Sequence, residues 1–155
     1  MLAGGFALAA WGSTRATADL DLIVDDAAKA TLLPRLAGEG FETLFESEGF
    51  TNLLHPDPAL GRLDLIWVEG TTARKLFTAG SERSGPGGIL VPVPKPEHLV
   101  AMKVRAIQGR ATRALRDGPD LAFLLSLPGI DENEAREPFH RAGLDELWER
   151  LRRRP

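Results

Sequence analysis

The sequence predicts an α+β protein: a mixed sheet with flanking helices over residues 1–94, followed by a small helical C-terminal part over 95–155 packed on it as one compact domain. Three observations carry that prediction. Short runs that alternate apolar and polar residues, "ADLDLIV" at 18–24 and "RLDLIWV" at 62–68, fall in the first half of the chain. From Pro96 onward apolar residues recur at helical spacing instead. No internal repeat or low-complexity stretch points to a solenoid or a fibre.

Taken in order, alanine-rich "FALAAW" suits one to two helical turns between Gly4-Gly5 and Gly12, and "STRAT" leads into a strand over Ala18–Val24. Asp25-Asp26 can cap a helix running to about Gly38, with Leu32, Leu33 and Leu36 apolar at helical spacing and Pro34 either bending it or marking its start. "FETLF" and "FTNLLH" around "ESEG" read as a hairpin, and the turn residues "HPDPALG" precede the strand at 62–68. "TTARKLFTAG" reads as a helix capped by Thr71 or Thr72, "SERSGPGG" as a loop, and "ILVPVP" as an extended segment whose prolines confine it to an edge or a crossing. Pro96 at a first helical position opens "EHLVAMKVRAIQG", with Leu99, Met102 and Val104 or Ala106 inward and Lys103 on another face. "RALRDGPDLAFLLSL", "DENEAREPFHRAG" and "LDELWERLRRR" are three further helices.

The bulk composition narrows the function classes. At 155 residues and 43% hydrophobic content the chain can bury a core of its own. A formal charge of -3 gives no global signature of nucleic-acid or membrane-surface binding, although Lys103, Arg105, Arg110, Arg113 and Arg116 form a local basic run. The absence of cysteine removes disulfides, thiolate nucleophiles and thiolate-ligated zinc, and His55, His98 and His140 have no zinc spacing. The apolar opening "MLAGGFALAA" lacks a basic leader and is broken by Gly4-Gly5, so the expectation is a soluble, cytoplasmic protein with no membrane partner.

The chemistry concentrates in the acids. Asp19 and Asp21 stand at i and i+2 of a strand pattern, which turns both to one face about 7 Å apart. At an effective dielectric near 20 their repulsion is on the order of 2 kcal/mol, which calls for positive charge nearby. Alternation alone also fits an ordinary half-solvated strand with Leu20, Leu22 and Val24 toward the core. Asp64, between Leu63 and Leu65, repeats the feature in the later strand.

The order of Gly4-Gly5, Arg15, Thr17, Asp19 and Asp21 in "GGFALAAWGSTRATADLDL" is followed by Asp64 in "RLDLI", Lys103 in "PEHLVAMKVRAIQGR", and Asp117 and Asp120 in "RDGPDLAFLL". This order resembles the nucleotidyltransferase superfamily of the DNA polymerase β type, and within it the AbiEii-like toxins and their small relatives. The resemblance spans residues 4 to about 127. It implies a nucleotidyltransferase-like mixed sheet, with Asp19, Asp21 and Asp64 as catalytic residues that ligate two Mg²⁺ or Mn²⁺ ions. It implies NTP as substrate, bound through Gly4, Gly5, Arg15, Thr17, Lys103 and Asp117, and a hydroxyl acceptor: RNA such as a tRNA end, a protein, or a small molecule. A toxin role with a cognate antitoxin is implied as well. The alternative is a non-catalytic relative that binds a nucleotide or a partner.

Each residue also has a plainer role available. Gly4-Gly5 can be a tight turn, Asp64 an edge acid and Lys103 a solvated charge. Arg15 can pair with a strand acid or with phosphate, and Asp117 and Asp120 can cap a helix that starts near Asp120. Relatives usually carry a helix and a full strand before the glycine pair, where this sequence has Met1, Leu2 and Ala3. The expectation is therefore an open sheet edge and a loosened glycine turn.

Overall fold

The structure, a computed structural model, describes residues 1–109 and 111–153. It has the expected α+β architecture with a mixed sheet, and it divides into two compact units, Met1–Pro94 and Lys95–Pro155.

The first unit is built on a four-stranded sheet of β1 (Leu20–Asp25), β2 (Glu42–Glu46), β3 (Phe50–Leu54) and β4 (Arg62–Val68), in the order β1-β4-β3-β2. β1 runs parallel to β4, and the other neighbours are antiparallel. Alternation sorts the faces. Leu63, Leu65 and Trp67 of β4 and Leu53 of β3 form a buried cluster, joined by Leu20, Leu22 and Val24 of β1 and by Leu32, Leu33 and Leu36 of helix α2 (Lys29–Gly38). Asp21, Ile23 and Asp64 point to the opposite face by the same period, and helix α1 (Gly4–Ala10) packs against β1. Trp67 sends its indole N–H to Thr51 Oγ1 at 2.8 Å, so this buried polar edge is satisfied.

Several boundaries differ from the sequence reading. β1 begins at Leu20, so Asp19 stands just before the strand rather than within it. Asp25 caps through Ala27 N–H, but a 3-10 turn over Asp26–Ala28 precedes α2, and Pro34 lies inside that helix. Helix α3 (Gly70–Ala79) starts before both threonines, with Glu69 in the cap position; Thr71 Oγ1 instead accepts from Arg74 at 3.2 Å. Ser81–Ser84, read as loop, is strand β5, antiparallel to β6 (Leu90–Val93). Gly87 and Gly88 supply the left-handed backbone that turns the chain between them. Arg83 of β5 stacks on Trp11 at 3.3 Å from the ring centroid, and the Trp11 indole donates to Pro94 O at 2.9 Å, which ties this hairpin to the end of α1.

The expected open edge is also corrected. Met1–Ala3 run antiparallel along β1: Ala3 N–H donates to Asp21 O and Ile23 N–H to Met1 O, both at 2.8 Å, while Leu2 N–H reaches Pro92 O at 2.9 Å. The edge of β1 from Asp21 to Ile23 is therefore paired, and the glycine turn that follows Ala3 is held rather than loose.

The second unit consists of α4 (Pro96–Gly109), α5 (Ala114–Leu125), α6 (Glu132–Arg141) and α7 (Asp145–Arg152). α4 packs on α5 and α6, and α7 on the same two helices. Leu99, Val100, Val104 and Ile107 are the buried stripe of α4, with Phe139 and Trp148 edge to face at 5.3 Å between α6 and α7. Asp131 caps α6 by accepting from Asn133 and Glu134 N–H, and its own N–H is taken at 2.8 Å by the buried carboxylate of Glu97.

α5 does not start near Asp120. It runs from Ala114 through Gly118-Pro119, and Asp117 and Asp120 lie inside it at 2% and 3% exposure. With Leu121 and Leu124 they share the i, i+3, i+4, i+7 face that meets α4, and Lys103 Nζ lies between the two acids, 3.0 Å from Asp117 Oδ1 and 2.6 Å from Asp120 Oδ2. Arg113 Nε approaches Asp117 Oδ2 at 3.3 Å. Removing one partner of such a buried group leaves unbalanced charge, which costs about 3 kcal/mol or more. Lys103→Met should accordingly lower the thermal midpoint by several degrees in far-ultraviolet circular dichroism, and adding Asp120→Asn should restore part of the loss. An unchanged midpoint in the single variant would reduce the network to a surface contact.

Candidate active site

The parallel register of β1 on β4 sets Asp21 level with Asp64, and the antiparallel register of β3 on β4 sets Asn52 level with Asp64. One row of polar side chains thus crosses three strands on the sheet face opposite the apolar cluster. Adjacent strands lie about 5 Å apart, so two carboxylates level with each other repel by about 3 kcal/mol at an effective dielectric near 20. Asp64 is buried at 8% exposure, which makes compensation obligatory.

Two neighbours provide it. Asn52 Nδ2 donates to Asp64 Oδ1 at 2.6 Å, and Arg62 Nε donates to the same oxygen at 2.9 Å. Arg62 stands two residues before Asp64 on the same face of β4. Extending the register one step beyond β1 brings Asp19 level with it. The electrostatics agree: the hydrogen bond to Asp64 holds the Arg62 guanidinium above its ordinary value, against partial loss of hydration, and the charges of Asp64, Asp19 and Asp21 act in the same direction. All three acids therefore lie in the field of one cation.

The glycine pair is built into this arrangement. Both glycines lie in the first turn of α1 rather than before it. Gly4 has φ +53°, and a Cβ there would overlap the Asp21 carboxylate; a Cβ on Gly5 would come within 2.5 Å of Thr17 Cβ. Backbone and acid approach so closely only because the side chain is missing. Thr17 Oγ1 lies 3.5 Å from Asp19 O, and the Arg15 N–H donates to Ser13 Oγ at 3.3 Å, so both residues belong to the segment that delivers Asp19 to the sheet.

Lys103 and Asp117 belong to the second unit, where they bond to each other. Of the basic run, Lys103 and Arg113 are engaged by Asp117 and Asp120, Arg105 and Arg116 are exposed, and Arg110 lies outside the described residues. Sequence reasoning missed Arg62 and Asn52. The available signals were an arginine at i-2 from a strand acid in "RLDL" and an asparagine in the middle of the apolar strand "FTNLL".

Among the described residues no three His, Asp or Glu side chains stand in a metal-holding group. The donor chemistry nevertheless fits a hard divalent ion. Asp19, Asp21 and Asp64 offer carboxylate oxygens, the donor type such an ion takes, and the Arg62 guanidinium brings positive charge to Asp64. No helix among the described residues is long and apolar enough to cross a membrane.

No family model matches the chain, and no curated protein matches it. Among solved structures it is similar to the lincomycin-bound lincosamide antibiotic adenylyltransferase LnuA, with a TM-score of 0.57 and 15% identity over 81% of this chain and 84% of that one. It is also similar to an antigenic nucleotidyltransferase-like protein from Paracoccidioides brasiliensis, with a TM-score of 0.51 and 18% identity over 97% of this chain and 83% of that one. At these identities the likeness is one of fold: the chain has the fold of the nucleotidyltransferases.

The contact between Gly4 and Asp21 gives a direct test. Gly12, at φ +100°, has nothing within 4 Å of a built Cβ, so Gly12→Ala bears only the left-handed backbone cost of about 1 kcal/mol. Gly4→Ala bears a comparable cost and must also displace the Asp21 carboxylate. Its thermal midpoint should fall further than that of Gly12→Ala; equal losses would mean that Asp21 turns aside freely.

Proposed function

We propose that the protein is a divalent-metal-dependent nucleotidyltransferase that moves a nucleoside monophosphate from an NTP to a hydroxyl group. The observation that carries this reading is the row of Asp21 and Asp64 across the parallel strands, with Asp19 in the field of the same arginine and Gly4 packed directly against the Asp21 carboxylate. The nucleotidyltransferase fold supports it.

In this reading Asp19, Asp21 and Asp64 hold Mg²⁺ or Mn²⁺, and when bound the ion supplies Lewis-acid stabilisation of the triphosphate and of the attacking hydroxyl. The acceptor oxygen forms its bond to the α-phosphorus while the bond to the bridging oxygen breaks, and pyrophosphate leaves with the electron pair. Asn52 bonds Asp64 Oδ1, so Oδ2 is the oxygen that receives the hydroxyl proton. Gly4 and Gly5 let the backbone come close to phosphate, and Arg15 and Thr17 shape the approach to Asp19. Lys103 and Asp117 enter only through the helical unit they staple.

The acceptor favoured here is a small hydroxylated molecule. Lys103 and Arg113 are spent on buried acids, which thins the basic run that would have met the backbone of RNA. LnuA, bound to lincomycin, offers the same class of acceptor for comparison.

The test is pyrophosphate release from each of the four NTPs by the full chain, with Mg²⁺, Mn²⁺ or EDTA, and with lincomycin, tRNA or no acceptor added. Release should require the metal, and Asp21→Asn should lower it by about 100-fold or more, the scale on which loss of one electrostatic stabiliser acts. The variant's melting point should stay level or rise, since one of two repelling charges is gone. Activity retained with a large loss of melting point would make Asp21 structural. Nucleotide binding without any release, in every metal, would favour the non-catalytic reading that Arg62 among the acids also permits.

A further inference from the structure

Arg62 is the feature of the acid cluster that the proposed reaction does not use. Its Nε lies 2.9 Å from Asp64 Oδ1, and the field of Asp19 and Asp21 reaches the same guanidinium. The two partners differ in freedom: the Arg62 side chain is 43% exposed, whereas that of Asp64 is 11% exposed. Arg62 can therefore swing toward solvent on its long stem while Asp64 stays in place. Asn52 holds the same Oδ1 from the neighbouring strand at 2.6 Å, so the orientation of Asp64 does not depend on the guanidinium alone.

We propose that Arg62 is a resident counter-cation of the acid site and a positioning residue for Asp64: it offsets the charge of Asp64 while no divalent ion is present and is displaced when one binds. The inference rests on the reading of Asp19, Asp21 and Asp64 as a divalent-metal site. The physical reason is like-charge exclusion. A guanidinium at hydrogen-bond distance from a carboxylate and a divalent ion on the same carboxylate repel each other across a few ångströms in a half-buried site. A neutral amide has no such conflict, so Asn52 remains on Asp64 in both states. The device places positive charge on buried Asp64 without metal and raises the ion concentration at which the site fills.

The experiment is Mn²⁺ binding to the full chain, read by the electron paramagnetic resonance of free Mn²⁺, together with thermal melts in EDTA and in Mn²⁺. It compares wild type with Arg62→Gln, Arg62→Lys and Asp21→Asn. Arg62→Gln should bind Mn²⁺ roughly tenfold more tightly, as loss of a nearby like charge predicts. It should also melt lower than wild type in EDTA and recover in Mn²⁺. Arg62→Lys, which keeps the charge, should stay near wild type in affinity. In the wild-type protein the Arg62 Nε–Hε resonance, identified by its loss in Arg62→Lys, should shift when Mg²⁺ is added; this reading does not depend on how well the glutamine variant folds.

Unchanged or weaker Mn²⁺ binding in Arg62→Gln, with binding lost in Asp21→Asn, would overturn the displacement and leave the metal site standing. An unmoved Arg62 resonance at saturating Mg²⁺ would overturn it equally. Absence of Mn²⁺ binding in both wild type and Arg62→Gln would overturn the metal reading and the displacement with it, whereas binding that appears only in Arg62→Gln would support the displacement.

Discussion

The parallel pairing of β1 with β4 is the constraint on which the rest of the first unit depends. It brings together two segments some 40 residues apart in sequence, Leu20–Asp25 and Arg62–Val68, and fixes which of their side chains are level. Because the side-chain period of a strand is two, the same register that buries Leu63, Leu65 and Trp67 with Leu20, Leu22 and Val24 must set Asp21 against Asp64 on the other face. A slip of one residue would exchange the faces and bury the acids among leucines. The apolar cluster therefore holds the acidic row in register, while Arg62 and Asn52 on the acidic face offset the charge of Asp64.

What was legible in the sequence follows from this logic. β1 and β4 carry strict alternation, and the acids stood out because they interrupt it in the same way twice. Asp19 looked like part of the strand because alternation does not reveal where pairing stops; hydrogen bonds to β4 begin at Leu20. β5 was hidden because "SERS" has no apolar alternation, and its pairing with β6 is closed by a glycine turn rather than announced by side chains. The Met1–Ala3 pairing was invisible for a related reason: it is made by backbone groups, which carry no sequence signature.

Arg62 and Asn52 illustrate a different limit. An arginine at the start of a strand is an ordinary solvated end, and an asparagine within one is ordinarily a weak strand former. Neither acquires meaning until strand order places both beside Asp64, and order is a property of the fold rather than of any local window. The need for positive charge beside the acids could be argued from Coulomb's law, but not which residue would supply it. The same limit applies in the helical unit. Gly118-Pro119 reads locally as a helix boundary, yet the helix runs through it. Asp117 and Asp120 share a face with Leu121 and Leu124 and meet Lys103 there, and tertiary burial overrides the local breaker.

The two units meet the same electrostatic problem in different ways. In the helical unit two acids at 2% and 3% exposure close on a lysine whose side chain is only 16% exposed, which makes a static ion group with little room for exchange. In the sheet unit the acids grade from exposed Asp19 through half-buried Asp21 to buried Asp64, and the arginine that serves them keeps much of its side chain in water. An ion group of the first kind staples helices, because Lys103, the cation shared by both acids, is itself packed between them. One of the second kind would, on the proposed reading, trade its cation, because the arginine that leaves is taken up by solvent and the acid that stays is held by Asn52. This difference in accessibility separates the packed aspartates of the helical unit from the more solvent-facing ones that the proposed metal site would use.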